Sequence, residues 1–196
     1  STAWQLWPTR YANSSSYHRS STTLAKVQAV TISNAELSNL VGQLPLPVPW
    51  NVEAFVDNLA HRQRRPIRLV PVNTATLRDS PCGLWFITDA EDLILYEAGT
   101  SHHHIDQIIC HEVGHMVLGH ANQCDTRTRL TQLHLDLCRE TLPDFNPAKL
   151  QRIFGREHFV AEQEREAEMF AHLVLLAAAE AGAKESTMRR AFFGSH

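Results

Sequence analysis

Val52, Phe55, Val56, Leu59 and Ala60 recur at the spacing of one helix face, and Asn51 in front of them is a good helix cap. The pattern then shortens. Ile67–Val72, Leu84–Thr88 and Leu93–Tyr96 are compact apolar runs of strand length, the last two joined by the polar turn Asp89-Ala90-Glu91-Asp92. From Thr100-Ser101 the helical repeat returns and continues to Gly119, a stop signal. Ile105, Ile109, Val113, Met116 and Val117 cover so much of this helix that it belongs inside a domain. A second long helix follows, with Val160, Ala167, Phe170, Ala171 and Val174 on its inward face, running to about Ala181. Between the two, residues 121–158 read as an inserted helical piece. It contains Leu130, Leu133 and Leu137, then a short helix capped by Asn146-Pro147 and ended by Gly155. The expected fold is α+β: a small three-stranded antiparallel or mixed sheet followed by a mainly helical half.

Residues 1–32 lack sustained periodicity and are rich in Ser and Thr, which predicts an extended or weakly ordered arm, with Trp4 and Trp7 able to dock on the core. Asn34–Gln43 is a candidate short helix, and Pro45-Leu46-Pro47-Val48-Pro49 a stiff connector. The remainder, 33–196, reads as a single domain, since 196 residues with 43% hydrophobic content can bury one good core.

A net charge of −3 gives no electrostatic drive toward nucleic acid, and no helix-turn-helix is recognisable, which disfavours a zinc-free DNA-binding module. The basic cluster His61-Arg62-Gln63-Arg64-Arg65 follows a helix end, where solvated cations compensate the dipole. No apolar run approaches a membrane span and no signal-peptide pattern is present. Cys82, Cys110, Cys124 and Cys138 make no ligand spacing and no evident disulfide framework. A cytoplasmic protein is expected.

The chemistry concentrates in His111-Glu112-Val113-Gly114-His115. Histidines four apart lie about 40° from one another around a helix, so both imidazoles can reach one ion. A glutamate beside the first can poise water for attack on a carbonyl. Buried imidazoles without partners are costly, and a metal removes that cost by occupying their lone pairs. Two histidines need a further protein ligand to hold zinc. The candidates are Glu162, Glu164, Glu166 and Glu168; Glu164 and Glu166 flank the inward face of the second long helix on opposite sides. His120 is out of register for a ligand, five positions after His115, and on the wheel it points away from the His111/His115 stripe. His102 and His103 read as a solvated helix start, and His104, Tyr96 or His172 could donate to an oxyanion.

His111-Glu112-Val113-Gly114-His115-Met116-Val117-Leu118-Gly119-His120, with Glu166-Ala167-Glu168-Met169-Phe170-Ala171 downstream, resembles the ImmA/IrrE metallopeptidases. Their pattern is H-E-x-G-H followed by E-A-N-x-F-A. This chain departs from it at Glu168, where the family has asparagine, and in the 51-position separation from His115 to Glu166. The resemblance implies a zincin-like helical half of gluzincin type, with His111, His115 and Glu166 as Zn2+ ligands and Glu112 as general base. It also implies a stress-response activity: a zinc metallopeptidase that cleaves a separate helix-turn-helix transcriptional repressor. The competing expectation is a catalytically silent regulator, stabilised by zinc, that acts by binding that repressor.

Overall fold

The computed structural model describes residues 32–72, 83–122, 136, 140–142, 150–154 and 159–193. Residues 1–31 of the expected arm, the leucines at 130, 133 and 137, the Asn146-Pro147 cap and Gly155 lie outside the described residues.

Local capping sets the helix starts. Helix α1, Asn34–Val41, opens on Ser33, whose hydroxyl accepts from Glu36 N while the Glu36 carboxylate accepts from Ser33 N, a capping box. Asn51 caps α2, Val52–Gln63, by accepting the Ala54 N–H at 2.7 Å. Strands β1 (Ile67–Val72), β2 (Leu84–Thr88) and β3 (Asp92–Glu97) follow, then the long helix α3, His102–Leu118. A single turn of 3-10 helix, His120–Asn122, leads away from it. Strand β4, Leu150–Phe154, and helix α4, Ala161–Phe193, complete the described chain.

The sheet is mixed and four-stranded, in the order β1-β3-β2-β4. β3 runs parallel to β1 and antiparallel to β2, with Ile94 opposite Leu69 on one side and Trp85 on the other. β4 is a correction to the sequence reading, which places a short helix there within an all-helical insertion. Its backbone pairs antiparallel with β2, Trp85 opposite Phe154. Without it that side of β2 would present unpaired N–H and C=O groups, a long-range requirement that overrides local helical preference.

Both faces of the sheet are covered. Trp85, Ile87 and Ile94 join the helices in the main core, whereas Leu84, Phe86, Leu93 and Leu95 pack with Val70, Val72 and Leu142 on the other face. Burial on both sides explains why β2 and β3 are continuous apolar runs instead of alternating ones. The arginine at position 65 is not a solvated helix-end cation. Its guanidinium donates to Thr88 O, Glu91 O and both carboxylate oxygens of the buried Asp92, tying the end of α2 to the β2–β3 turn. No helix among the described residues is long and apolar enough to cross a membrane.

Candidate metal centre

Helix α3 has the expected ends. Ser101 accepts the His104 N–H, and Gly119 closes the helix in the left-handed region at φ 71°, ψ 28°. Between them His111 and His115 stack one turn apart on the face turned toward α4. Their Nε2 atoms lie 3.0 Å from each other, in a site where both rings are buried.

Gly114 decides how near α4 can come. A Cβ at this position would sit 3.1 Å from Phe170 Cδ1 and 3.2 Å from the Ala167 Cα. A small residue on each helix lets the two backbones approach, and Ala167, Phe170, Ala171 and Val174 bury the shared face. Glu164 lies just short of one turn before Ala167. Its Oε1 reaches within 3.4 Å of His115 Nε2 and its Oε2 within 3.5 Å of His111 Nε2.

These three side chains are spaced as the ligands of one metal ion would be. With bonds of about 2.0–2.1 Å, the ligand atoms of a tetrahedral zinc lie about 3.3 Å apart. The observed separations of 3.0, 3.4 and 3.5 Å are close to those edges. His111, His115 and Glu164 thus lie close enough together to hold a metal ion. Two of the three also hold the protonation state that a metal needs. Burial pushes His115 down to about 4, so its ring is neutral at pH 7. Burial works against the Glu164 carboxylate, but its contacts with His111 and His115 outweigh that and hold it at about 2. Burial also lowers His111, yet its bond to Glu164 and the nearby charges of Glu112, Glu164 and Glu168 leave it above its ordinary value.

The carboxylate at the histidines is therefore that of Glu164, and Glu166 stands elsewhere. Glu166 Oε2 lies 3.1 Å from His120 Nε2, and its Oε1 accepts the Ile32 N–H at 2.9 Å. With one oxygen engaged by each partner, on the other flank of α4, Glu166 does not converge on the His111/His115 pair. Glu162 instead pairs with Arg165 on the surface, and Glu168 is exposed.

Glu112 is buried beside the ligand atoms. Among the described residues its Oε2 has no hydrogen-bond partner. Burial raises its carboxyl to about 7, against the pull of His111 and with a smaller push from Glu164. Gly83, at φ 147° just before β2, makes the seat: a Cβ there would stand 2.9 Å from Glu112 Oε1.

Three further residues belong to this centre. His120 returns to it, its Nδ1 2.9 Å from His115 Nδ1, because left-handed Gly119 turns the chain back where a helical wheel would carry it away. Phe159 stacks on the His115 ring at 3.8 Å between centroids and 14° between planes. Gly83 is the third. Nothing in local spacing marks Phe159 or Gly83, whereas the glycine before His120 was the signal that the wheel stops there. The oxyanion candidates are not drawn in: His104 and His172 are exposed, and Tyr96 packs at the edge of the core.

No protein-family model matches the chain, and comparison with curated proteins and with solved structures returns no match.

Proposed function

We propose that the chain is a zinc-dependent peptidase with His111, His115 and Glu164 as the metal ligands and Glu112 as its general base. One observation carries the reading: a buried imidazole–imidazole–carboxylate triad at zinc-like separations, with a second, buried carboxylate beside it. Two nitrogen donors and one oxygen suit zinc better than magnesium or calcium, which take oxygen ligands. When bound, zinc would supply Lewis-acid activation of water and of a scissile carbonyl.

The protein's own contribution is proton traffic and orientation. A buried carboxylate, its pKa raised toward neutrality by burial, can take a proton from water and give it up again to a departing amine. Gly83 holds that carboxylate against the start of β2, and Phe159 keeps the His115 ring plane fixed. The zincin-like reading of the fold belongs to this proposal, as does the substrate. The likeness of the two motifs to the ImmA/IrrE pattern makes it a helix-turn-helix repressor, and hence makes the cytoplasm the site of action.

The test is to find whether a helix-turn-helix protein is encoded beside the chain and to co-express it with wild type or Glu112→Gln, followed by mass measurement of the products. Fragments with wild type and none with the variant support the proposal. Equal cleavage by both removes Glu112 from its role, and no cleavage by either leaves the silent regulator as the better reading.

A further inference from the structure

Beyond the three ligand candidates, a chain of hydrogen bonds runs outward from His115. Its Nδ1 faces His120 Nδ1 at 2.9 Å, His120 Nε2 faces Glu166 Oε2 at 3.1 Å, and Glu166 Oε1 accepts from the Ile32 main chain. Both rings are 1% exposed, so water does not compete for these atoms.

The far end of the chain fixes where the protons sit. An ionised carboxylate only accepts, so His120 must carry its proton on Nε2 to meet Glu166. A neutral imidazole has one proton, which leaves His120 Nδ1 bare. His115 must then donate from Nδ1, and its own Nε2 keeps a bare lone pair. That lone pair points to the space shared with His111 Nε2 and Glu164 Oε1, 3.0 and 3.4 Å away. The opposite assignment would set the lone pair of His120 Nε2 against the Glu166 carboxylate at 3.1 Å. That is a closer clash than the one this assignment leaves between His115 Nε2 and Glu164 Oε1 at 3.4 Å, which a bound cation would remove.

We propose that His120 and Glu166 are positioning residues, a relay that locks His115 in its Nδ1–H tautomer and so presents Nε2 to the metal. The proposal rests on the metal-site reading above. It gives Glu166 a task other than ligation, and it explains a buried histidine that is not a ligand. The stacked Phe159 and the relay act on the same ring: one sets its plane, the other its rotation and proton. The anchor at Ile32 N, just ahead of α1, also ties the geometry of the site to the segment that enters the domain.

Two measurements decide it. Long-range proton–nitrogen correlation spectra of metal-free protein labelled at histidine read the His115 tautomer directly. Competition with a chromophoric chelator gives the zinc Kd of wild type, His120→Phe, His120→Gln and Glu166→Ala, each checked for folding by circular dichroism. The wild-type spectrum should put the His115 proton on Nδ1. Loss of an outer hydrogen-bond partner should weaken zinc binding about 10–100-fold in His120→Phe and Glu166→Ala. His120→Gln, whose amide carbonyl can accept from His115, should recover most of that loss. A proton on His115 Nε2 in the wild type would overturn the relay. So would folded His120→Phe and Glu166→Ala variants that both bind zinc within about threefold of wild type. If His120→Phe does not fold, Glu166→Ala carries the affinity arm. Wild type that binds no zinc would remove the metal-site reading, while the tautomer spectrum would still decide the relay.

Discussion

Gly114 on α3 faces Ala167 on α4 so closely that a Cβ on the glycine would meet the alanine's Cα at 3.2 Å and its carbonyl oxygen at 3.3 Å. This contact sets the distance across which Glu164 meets His111 and His115. Gly114→Ala pits two effects against each other. Alanine gains about 1 kcal/mol of helix propensity over glycine, and overpacking costs about 1–3 kcal/mol. The neighbour here is largely backbone, so the overpacking term should win and stability should fall by about 1 kcal/mol. Zinc affinity should suffer more, at least about tenfold, because a metal site tolerates ligand displacements of only about 0.2 Å. Thermal denaturation and chelator competition check both. A variant more stable than wild type with unchanged zinc affinity would show that this contact does not set the ligand distance.

Gly83→Ala should give the opposite division. The added methyl would press on Glu112 Oε1 at 2.9 Å and Ile108 Cγ2 at 3.0 Å, at a φ of 147° that L side chains rarely adopt. Glu112 is not among the ligand candidates, so zinc binding should stay within about threefold of wild type. Peptide hydrolysis should drop about 100-fold, the usual scale for a reacting group moved by about 1 Å. Unchanged turnover with an intact fold would mean that Gly83 does not seat the base.

The Arg65–Asp92 pair predicts a pH signature far from the metal. Burial raises the Asp92 carboxyl, and Arg65 pulls it back down. In Arg65→Met that pull is lost, and the folded-state pKa rises further above the ordinary carboxylate value of about 3.9. The cost of keeping Asp92 charged is then complete above the raised pKa and is relieved as pH falls toward it. The variant should lose about 3–5 kcal/mol relative to wild type at pH 8, the usual cost of stranding a buried charge, and less at pH 5. Urea denaturation with chelator present, to keep both proteins metal-free, measures the difference. A deficit that is constant or grows toward acid would contradict the assignment.

The parts that local chemistry dictates were legible before the structure. Ser101 and Gly119 bound α3 at both ends, Asn51 starts α2, and the apolar runs of β1, β2 and β3 stand where expected. What local chemistry does not carry was missed. β4 forms because β2 has an edge to complete, which no window around residue 150 contains. The choice between Glu164 and Glu166 depends on how α4 is rotated about the Gly114 contact, and a wheel drawn for α4 alone leaves both flanks open. His120 was dismissed by continuing a helical projection through a residue in the left-handed region. Helix α4 runs on to Phe193, three turns past the last apolar stripe. Its exposed end is carried by Ala, Glu, Lys and Arg, good helix formers, and by the i,i+4 pair Glu185–Arg189.

The central claim is that His111, His115 and Glu164 bind one zinc ion, and it is tested most directly by zinc stoichiometry. Wild type, Glu164→Gln and Glu166→Gln should each be loaded with zinc, passed through a desalting column and assayed for metal per chain. The account predicts about one equivalent in wild type, near-complete loss in Glu164→Gln, and a weakened but loadable site in Glu166→Gln. Less than about a tenth of an equivalent in wild type, or loss in Glu166→Gln with Glu164→Gln unaffected, would contradict it.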